Sequence, residues 1–266
     1  MYSTLTTLID RLTSSTVSKS GVVQWGAPVP SFGNLSASFV ATLGLNPSYR
    51  EFVDKAGREL HGELRRFHTL TSLGIRSWLE VDARHMQAIM ESCCRYFEAN
   101  PYDTWFRKLD KVVLGTKASY YGGSYGACHL DLIPYATKSK WAELSAYQRS
   151  ILLDIAGDTL GRLLRDSPVR ILILNGRSVV HHFENVTDVH LENWEMPNWS
   201  LPRRSGKGVR GIAYRGVINK LCGIQLSQEV LVLGFNHNLQ SSFGVTNEVI
   251  EGIQAWIAEE SRYMAW

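Results

Sequence analysis

The chain has 266 residues, 44% of them hydrophobic and 20% charged, which is enough for a core of ordinary size without staples. The formal net charge is only +3, so bulk charge does not point to nucleic acid; no apolar run approaches the roughly 18 residues of a membrane span. The polar, Ser/Thr-rich start lacks the apolar centre of a signal peptide. Cys93, Cys94, Cys128 and Cys222 include no C-x-x-C pair, which argues against a zinc ribbon or a disulfide framework. They read as reduced thiols, and the chain as a soluble cytoplasmic protein with no membrane partner and no obligate protein partner.

A short helix is expected over residues 4–12, followed by a Gly/Pro-rich loop. Residues 38–45 form an apolar run closed by Gly44 and Pro47, the pattern of a buried parallel strand. Residues 51–64 mix charge and apolar side chains at helical spacing. Residues 82–99 predict a longer helix ended by Asn100-Pro101, and residues 104–114 another. A second buried strand spans residues 127–133 and stops at Pro134. Ser145 looks like the N-cap of a helix running to Asp166, with Leu152, Ile155, Leu160, Leu163 and Leu164 on its core face. Residues 169–174 give a third strand, 178–183 a helix, 229–235 a fourth strand and 246–263 a closing helix. This alternation predicts an α/β fold: a three-layer α/β/α sandwich around a central, mainly parallel four-stranded sheet. One domain covers residues 1–266, with an insertion at residues 183–228.

Sites in such folds gather at the carboxyl ends of the strands, where this chain places Asn46, Asp131, Asn175 and His237. In Gly44-Leu45-Asn46-Pro47-Ser48, Pro47 forces an abrupt exit and Gly44 permits close backbone approach. Asn46 would project into a cleft, where its amide can position a water; an Asx turn accounts for the same residues. Asp131 also reads as a cap and His237 as a loop histidine. Residues 197–228 carry no acid but hold Arg203, Arg204, Lys207, Arg210, Arg215 and Lys220 between glycines. That pattern suits a phosphate-gripping loop, or a solvated basic surface.

These strand-end segments, taken in order, resemble the motifs of the uracil-DNA glycosylase superfamily. Gly44-Leu-Asn-Pro-Ser48 is similar to its first motif, closest to the Asn-bearing mismatch-specific branch, as is Arg65-Arg-Phe67 with Leu70 and Gly74. His129-Leu-Asp-Leu-Ile-Pro134 stands at its base-reading position, and Leu174-Asn-Gly-Arg177 resembles its third. Asn236-His-Asn-Leu-Gln-Ser-Ser-Phe243 resembles its His-centred loop, without the Pro and Leu pattern. The resemblance implies an enzyme that flips a DNA base and hydrolyses its N-glycosidic bond. Asn46 would hold the water, and His237 would donate to the departing base. Asp131 would read the base or act in catalysis. Gly44, Leu45, Pro47, Ser48 and Asn175 would shape the pocket. Phe67 is the favoured stacking platform, with Phe52, Tyr49, Tyr120 and Tyr121 as other candidates. Leu239 and Gln240 would form the wedge, and Ser241 and Ser242 would contact phosphates. No cofactor is implied, and the cysteine spacing does not suit the iron–sulfur cluster of some branches.

Ser48 stands where familiar uracil enzymes carry a ring that blocks carbon 5. An ionised Asp131 accepts hydrogen bonds only, which suits the N4 amino group of cytosine. This combination resembles bacterial phage-defence glycosylases acting on glucosylated hydroxymethylcytosine, with Trp194 and Trp199 of the insertion available to read the bulky group. The alternatives are a uracil or mismatch glycosylase in repair, or a non-catalytic nucleic-acid-binding protein. A further alternative is a nucleoside hydrolase using Asp131 and another carboxylate such as Glu51.

Overall fold

A computed structural model describes residues 1–122, 125–187, 189–203, 208–240, 244–262 and 264. Among them, seven strands lie in one sheet in the order β2-β3-β1-β4-β7-β6-β5. The strands are β1 (Ser38–Gly44), β2 (Ala118–Ser119), β3 (Tyr125–Asp131), β4 (Ile171–Asn175), β5 (Glu192–Glu195), β6 (Ile212–Leu221) and β7 (Ile224–Phe235). The four strands expected from the sequence form the parallel centre, β3-β1-β4-β7. The sheet is wider than expected. β2 adds a parallel edge, and the segment at residues 183–228, read from the sequence as an insertion, supplies β5 and β6, which extend the other side antiparallel.

Helices cover both faces, and the alternation along β4 shows how. Ile171 and Ile173 face one cluster with α4 (Asp103–Val113) and α8 (Asn247–Glu260). Leu172 and Leu174 face the other, with α6 (Thr159–Arg165) and α7 (Arg177–Thr187). Successive side chains point to opposite sides of a strand, so a strand covered on both faces must be apolar throughout. A third cluster joins α1 (Tyr2–Leu12), α3 (Ala83–Cys94) and α5 (Ala146–Ala156). The short α2 (Leu70–Leu73) closes on Gly74 in the left-handed region.

Two helix expectations are corrected. Residues 51–64 do not form a helix: a 3-10 turn at Tyr49–Glu51 ends where they begin, and another lies at Gly62–Leu64. Asp54 Oδ1 accepts the backbone N–H groups of Ala56 (2.8 Å) and Arg58 (3.0 Å), and Gly57 has a φ of 80°. This side-chain turn competes successfully with helix formation. The helix behind Ser145 is broken in two by Gly157, at φ 49°. Arg11 Nη1 caps the first half by donating to Ile155 O at 2.7 Å and Ala156 O at 3.2 Å. All four cysteines are free thiols. Among the described residues no helix is long and apolar enough to cross a membrane.

Candidate functional site

From β1 the chain crosses to β3 on one side, then returns past β1 to β4 on the other. That reversal leaves a crevice at the carboxyl ends of β1 and β4, the place where open α/β sheets bind ligands. A cleft of about 540 Å3 occupies it, within the roughly 300–1,000 Å3 common for small-molecule sites. Its lining includes Gly44 to Ser48, Asp131, Asn175 and Arg177. Three of the four expected strand-end groups, Asn46, Asp131 and Asn175, therefore meet there.

Asn46 is held by its amide nitrogen, which donates to Thr137 Oγ1 at 2.9 Å and to Pro47 O at 3.0 Å. Both N–H bonds are used, which leaves Oδ1 to accept from a water. Asp131 is the last residue of β3 and is buried. Its Oδ1 lies 3.4 Å from His129 Nε2. His129 Nδ1 is 2.7 Å from Thr42 Oγ1, which is 2.5 Å from the Tyr120 hydroxyl. With the imidazole proton on Nε2 facing Asp131, Thr42 donates to Nδ1 and accepts from Tyr120, so each member finds a partner. Phe32, Trp105 and Phe106 surround the ring edge-on at 5.0–5.4 Å.

Glu51 also reaches the cleft, from the turn after Pro47. The leading sequence reading did not use it; only the nucleoside-hydrolase alternative did, and its membership in a false helical pattern hid it. Burial pushes its carboxyl up to about 7, against the opposing pull of Arg66 and the Tyr96 hydrogen bond, with Asp131 adding to the rise. Tyr96 donates to Oε2 at 2.9 Å and Arg66 Nε sits 3.7 Å from the same oxygen. Oε1 is then the atom left to carry a proton. A carboxyl at about 7 can hold or release a proton near neutral pH.

The aromatic candidates are corrected. Phe67 is 2% exposed and stacked on Tyr96 in the core, with centroids 5.2 Å apart. Tyr49 packs edge-on to Trp25 at 6.3 Å. The rings that line the cleft are Phe32, Tyr102, Trp105, Phe106 and Trp141. Trp105 and Phe106 come from the first turns of α4, which sequence periodicity alone marks only as core.

His237 is corrected as well. It is 1% exposed, and its Nε2 donates to Trp199 O at 2.6 Å. Desolvation lowers its pKa, with the Trp199 hydrogen bond working against that shift. Its neighbours Asn236 and Asn238 line the cleft in its place. Asn236 is structural, accepting from Ile212 N at 2.8 Å and donating to Arg210 O at 2.7 Å. Gly176, at φ 103°, lets that loop pass close: a β-carbon there would stand 2.9 Å from Asn238 Cβ.

Leu239 is 2% exposed and packs in the core, so it is not an exposed wedge. Its N–H donates to Asn175 Oδ1 at 3.2 Å. Gln240 accepts from Asn175 Nδ2 at 2.7 Å and donates to Trp105 O at 3.1 Å. It ties β4, the β7 loop and α4 together, and that tether stands against a free intercalating role. Arg203 is exposed, and Arg210 pairs with Glu195 at 3.0 Å. Arg204, Lys207, Ser241 and Ser242 lie outside the described residues. Trp194 and Trp199 both pack against Trp256, at 6.1 and 5.5 Å, which removes Trp199 in particular from any ligand. Among the described residues no group of three or more His, Cys, Asp and Glu side chains is placed to hold a metal. The chain matches no protein-family model, and no curated protein matches it.

Proposed function

We propose that the cleft takes one flipped DNA base and hydrolyses its N-glycosidic bond, leaving an abasic site. The observation that carries this reading is the convergence of Asn46, Asp131 and Glu51 on one aromatic-walled cleft. In the reaction, the bond from C1′ to the base nitrogen breaks with its electron pair going to the base. Glu51 supplies a proton to the base. A water held by Asn46 Oδ1 adds its oxygen to the oxocarbenium-like C1′ and releases its surplus proton to solvent. Asp131, its Oδ1 facing His129, presents the other oxygen to an exocyclic amine. The uracil-DNA glycosylase-like sandwich is the fold reading consistent with this order of strand-end groups. The favoured base is a cytosine with a bulky group on carbon 5, because Ser48 is small and exposed at the cleft.

The test is incubation of the purified protein with DNAs of different base chemistry. Alkali cleavage scores abasic sites and mass spectrometry identifies the released base. Absence of both on every DNA refutes the reading. One feature favours a second reading: two carboxyl side chains, Glu51 and Asp131, share the cleft, as a hydrolase of free nucleosides would require. Turnover of nucleosides without DNA distinguishes it.

A further inference from the structure

A second groove, of about 720 Å3, adjoins the cleft and shares Asn46, Pro47, Ser48, Trp105 and Trp141 with it. Two loops give it a basic lining. Arg50 and Lys55 come from the segment after β1; Lys138 and Lys140 come from the segment after β3. All four are exposed. Among the described residues Lys55, Lys138 and Lys140 form no ion pair with a carboxylate. Glu143 is the acid on the lining, and its Oε2 accepts the Lys140 backbone N–H at 3.2 Å. In the segment at residues 197–228, Arg210 and Arg215 are taken by Glu195 and Glu260, at 3.0 and 2.8 Å, while Arg203 and Lys220 form no ion pair among the described residues.

We propose that this groove carries the phosphodiester backbone of DNA on one flank of the nucleotide in the cleft, with Lys55, Lys138 and Lys140 on its phosphates. Unpaired lysines beside a base-sized cavity provide the sequence-independent grip that a polyanion needs. Trp105, half-buried at the shared rim, offers a face on which a neighbouring base stacks. The grip also connects to the chemistry. Thr137, which holds Asn46, donates its hydroxyl proton to Ser139 O at 2.7 Å, and Ser48 and Thr137 form a β-bridge. The loop bearing Lys138 and Lys140 is therefore the loop that orients the water-holding amide. The choice of DNA as the polyanion rests on the base-flipping reading; binding itself is measured separately.

The experiment is fluorescence anisotropy of a labelled oligonucleotide across a salt series. It compares the wild type, the Lys55→Ala/Lys138→Ala/Lys140→Ala triple variant, the corresponding Lys→Arg triple variant, and Arg203→Ala/Arg210→Ala. Each phosphate contact contributes about 0.7 to 0.9 to the slope of log affinity against log salt. The alanine triple variant is expected to lose about 2 units of slope and bind at least about tenfold more weakly. The arginine triple variant keeps both, and Arg203→Ala/Arg210→Ala changes them less than the alanine triple variant does. Thermal unfolding checks that these surface changes leave the fold intact. Wild-type affinity and slope in the alanine triple variant overturn the groove, as does absence of DNA binding by the wild type. Base release is scored on the same DNA. Loss of binding in the triple variant, with no base release by the wild type, keeps the groove and defeats the catalytic reading. Base release by the wild type, with unchanged binding in the triple variant, does the reverse.

Discussion

Asp131 lies against Gly44 across the β1–β3 pair, in the space that a side chain on Gly44 would need. The two are register partners in the sheet. A β-carbon on Gly44 would stand 2.9 Å from His129 Nε2 and closer still to Asp131 Oδ1. The backbone there is not in the left-handed region, so the glycine is required by space and not by φ. Gly44→Ala is expected to push Asp131 and His129 out of line, at a stability cost of about 1–3 kcal/mol. Base release should fall far more than the melting temperature suggests. Wild-type turnover by a folded Gly44→Ala protein would show that the placement of Asp131 does not matter.

Glu51 gives a pH signature with a definite sign. Its carboxyl sits at about 7 in the folded chain, against an ordinary value of 4.5. Between these limits the folded protein holds a proton that the unfolded chain releases, so stability falls as pH rises through this window. The fall is about 3 kcal/mol from this group. Glu51→Gln should flatten that part of the stability curve, measured by urea unfolding at several pH values. As proton donor, Glu51 also predicts a kcat/KM that is level below about pH 7 and drops about tenfold per unit above it. The glutamine variant should lose most of the activity together with this limb. A rise in activity through pH 7 would mean that the group acts as a base.

Asn46 is oriented by a neighbour that can be changed separately. Asn46→Ala should lower base release by about a hundredfold or more, through loss of the positioned water. Thr137→Val removes one of the two acceptors of the amide and leaves Pro47 O. It is expected to cause a smaller loss, seen in kcat and not in KM. Equal activity in all three proteins would remove Asn46 from the mechanism.

The parallel core and the strand-end positions of Asn46, Asp131 and Asn175 were legible because continuous apolar runs ended in Gly, Pro or a polar residue. Three things were not. The β5–β6 extension is half exposed and lacks a continuous apolar signal. Glu51 was concealed by charges at helical spacing that a local Asp54 turn overrides. The side on which a loop residue falls is set by tertiary contacts, so His237 was read as facing the cleft when Asn236 and Asn238 do.

His237 therefore separates sequence likeness from geometry. With Nε2 committed to Trp199 O, His237→Gln is expected to cost about 1–3 kcal/mol of stability. At a temperature where the variant remains folded, base release should stay within a few-fold of wild type. Circular dichroism and single-turnover kinetics on one preparation measure both. A large kinetic loss without loss of stability would return the histidine to the reaction.

The substrate reading rests on two residues with opposite demands. A carboxylate offers acceptors only, and the cytosine edge offers one donor, N4, beside the acceptor N3. With Oδ1 facing His129 at 3.4 Å, one oxygen of Asp131 remains to accept from N4. On the proposed reading Ser48 leaves room at carbon 5; its Oγ accepts the Arg50 N–H at 3.2 Å, and Tyr49 packs against Trp25. Trp199 is sealed in the core and is not available to recognise a bulky substituent. DNA from a phage with glucosylated hydroxymethylcytosine is expected to gain abasic sites on incubation with the wild type, while unmodified DNA is not. Ser48→Tyr should abolish that activity by filling the space at carbon 5. Asp131→Asn should weaken it, because its amide can turn a donor toward N4. Brisk release of plain uracil, with none from the glucosylated DNA, would defeat this assignment and leave the repair-type reading in its place.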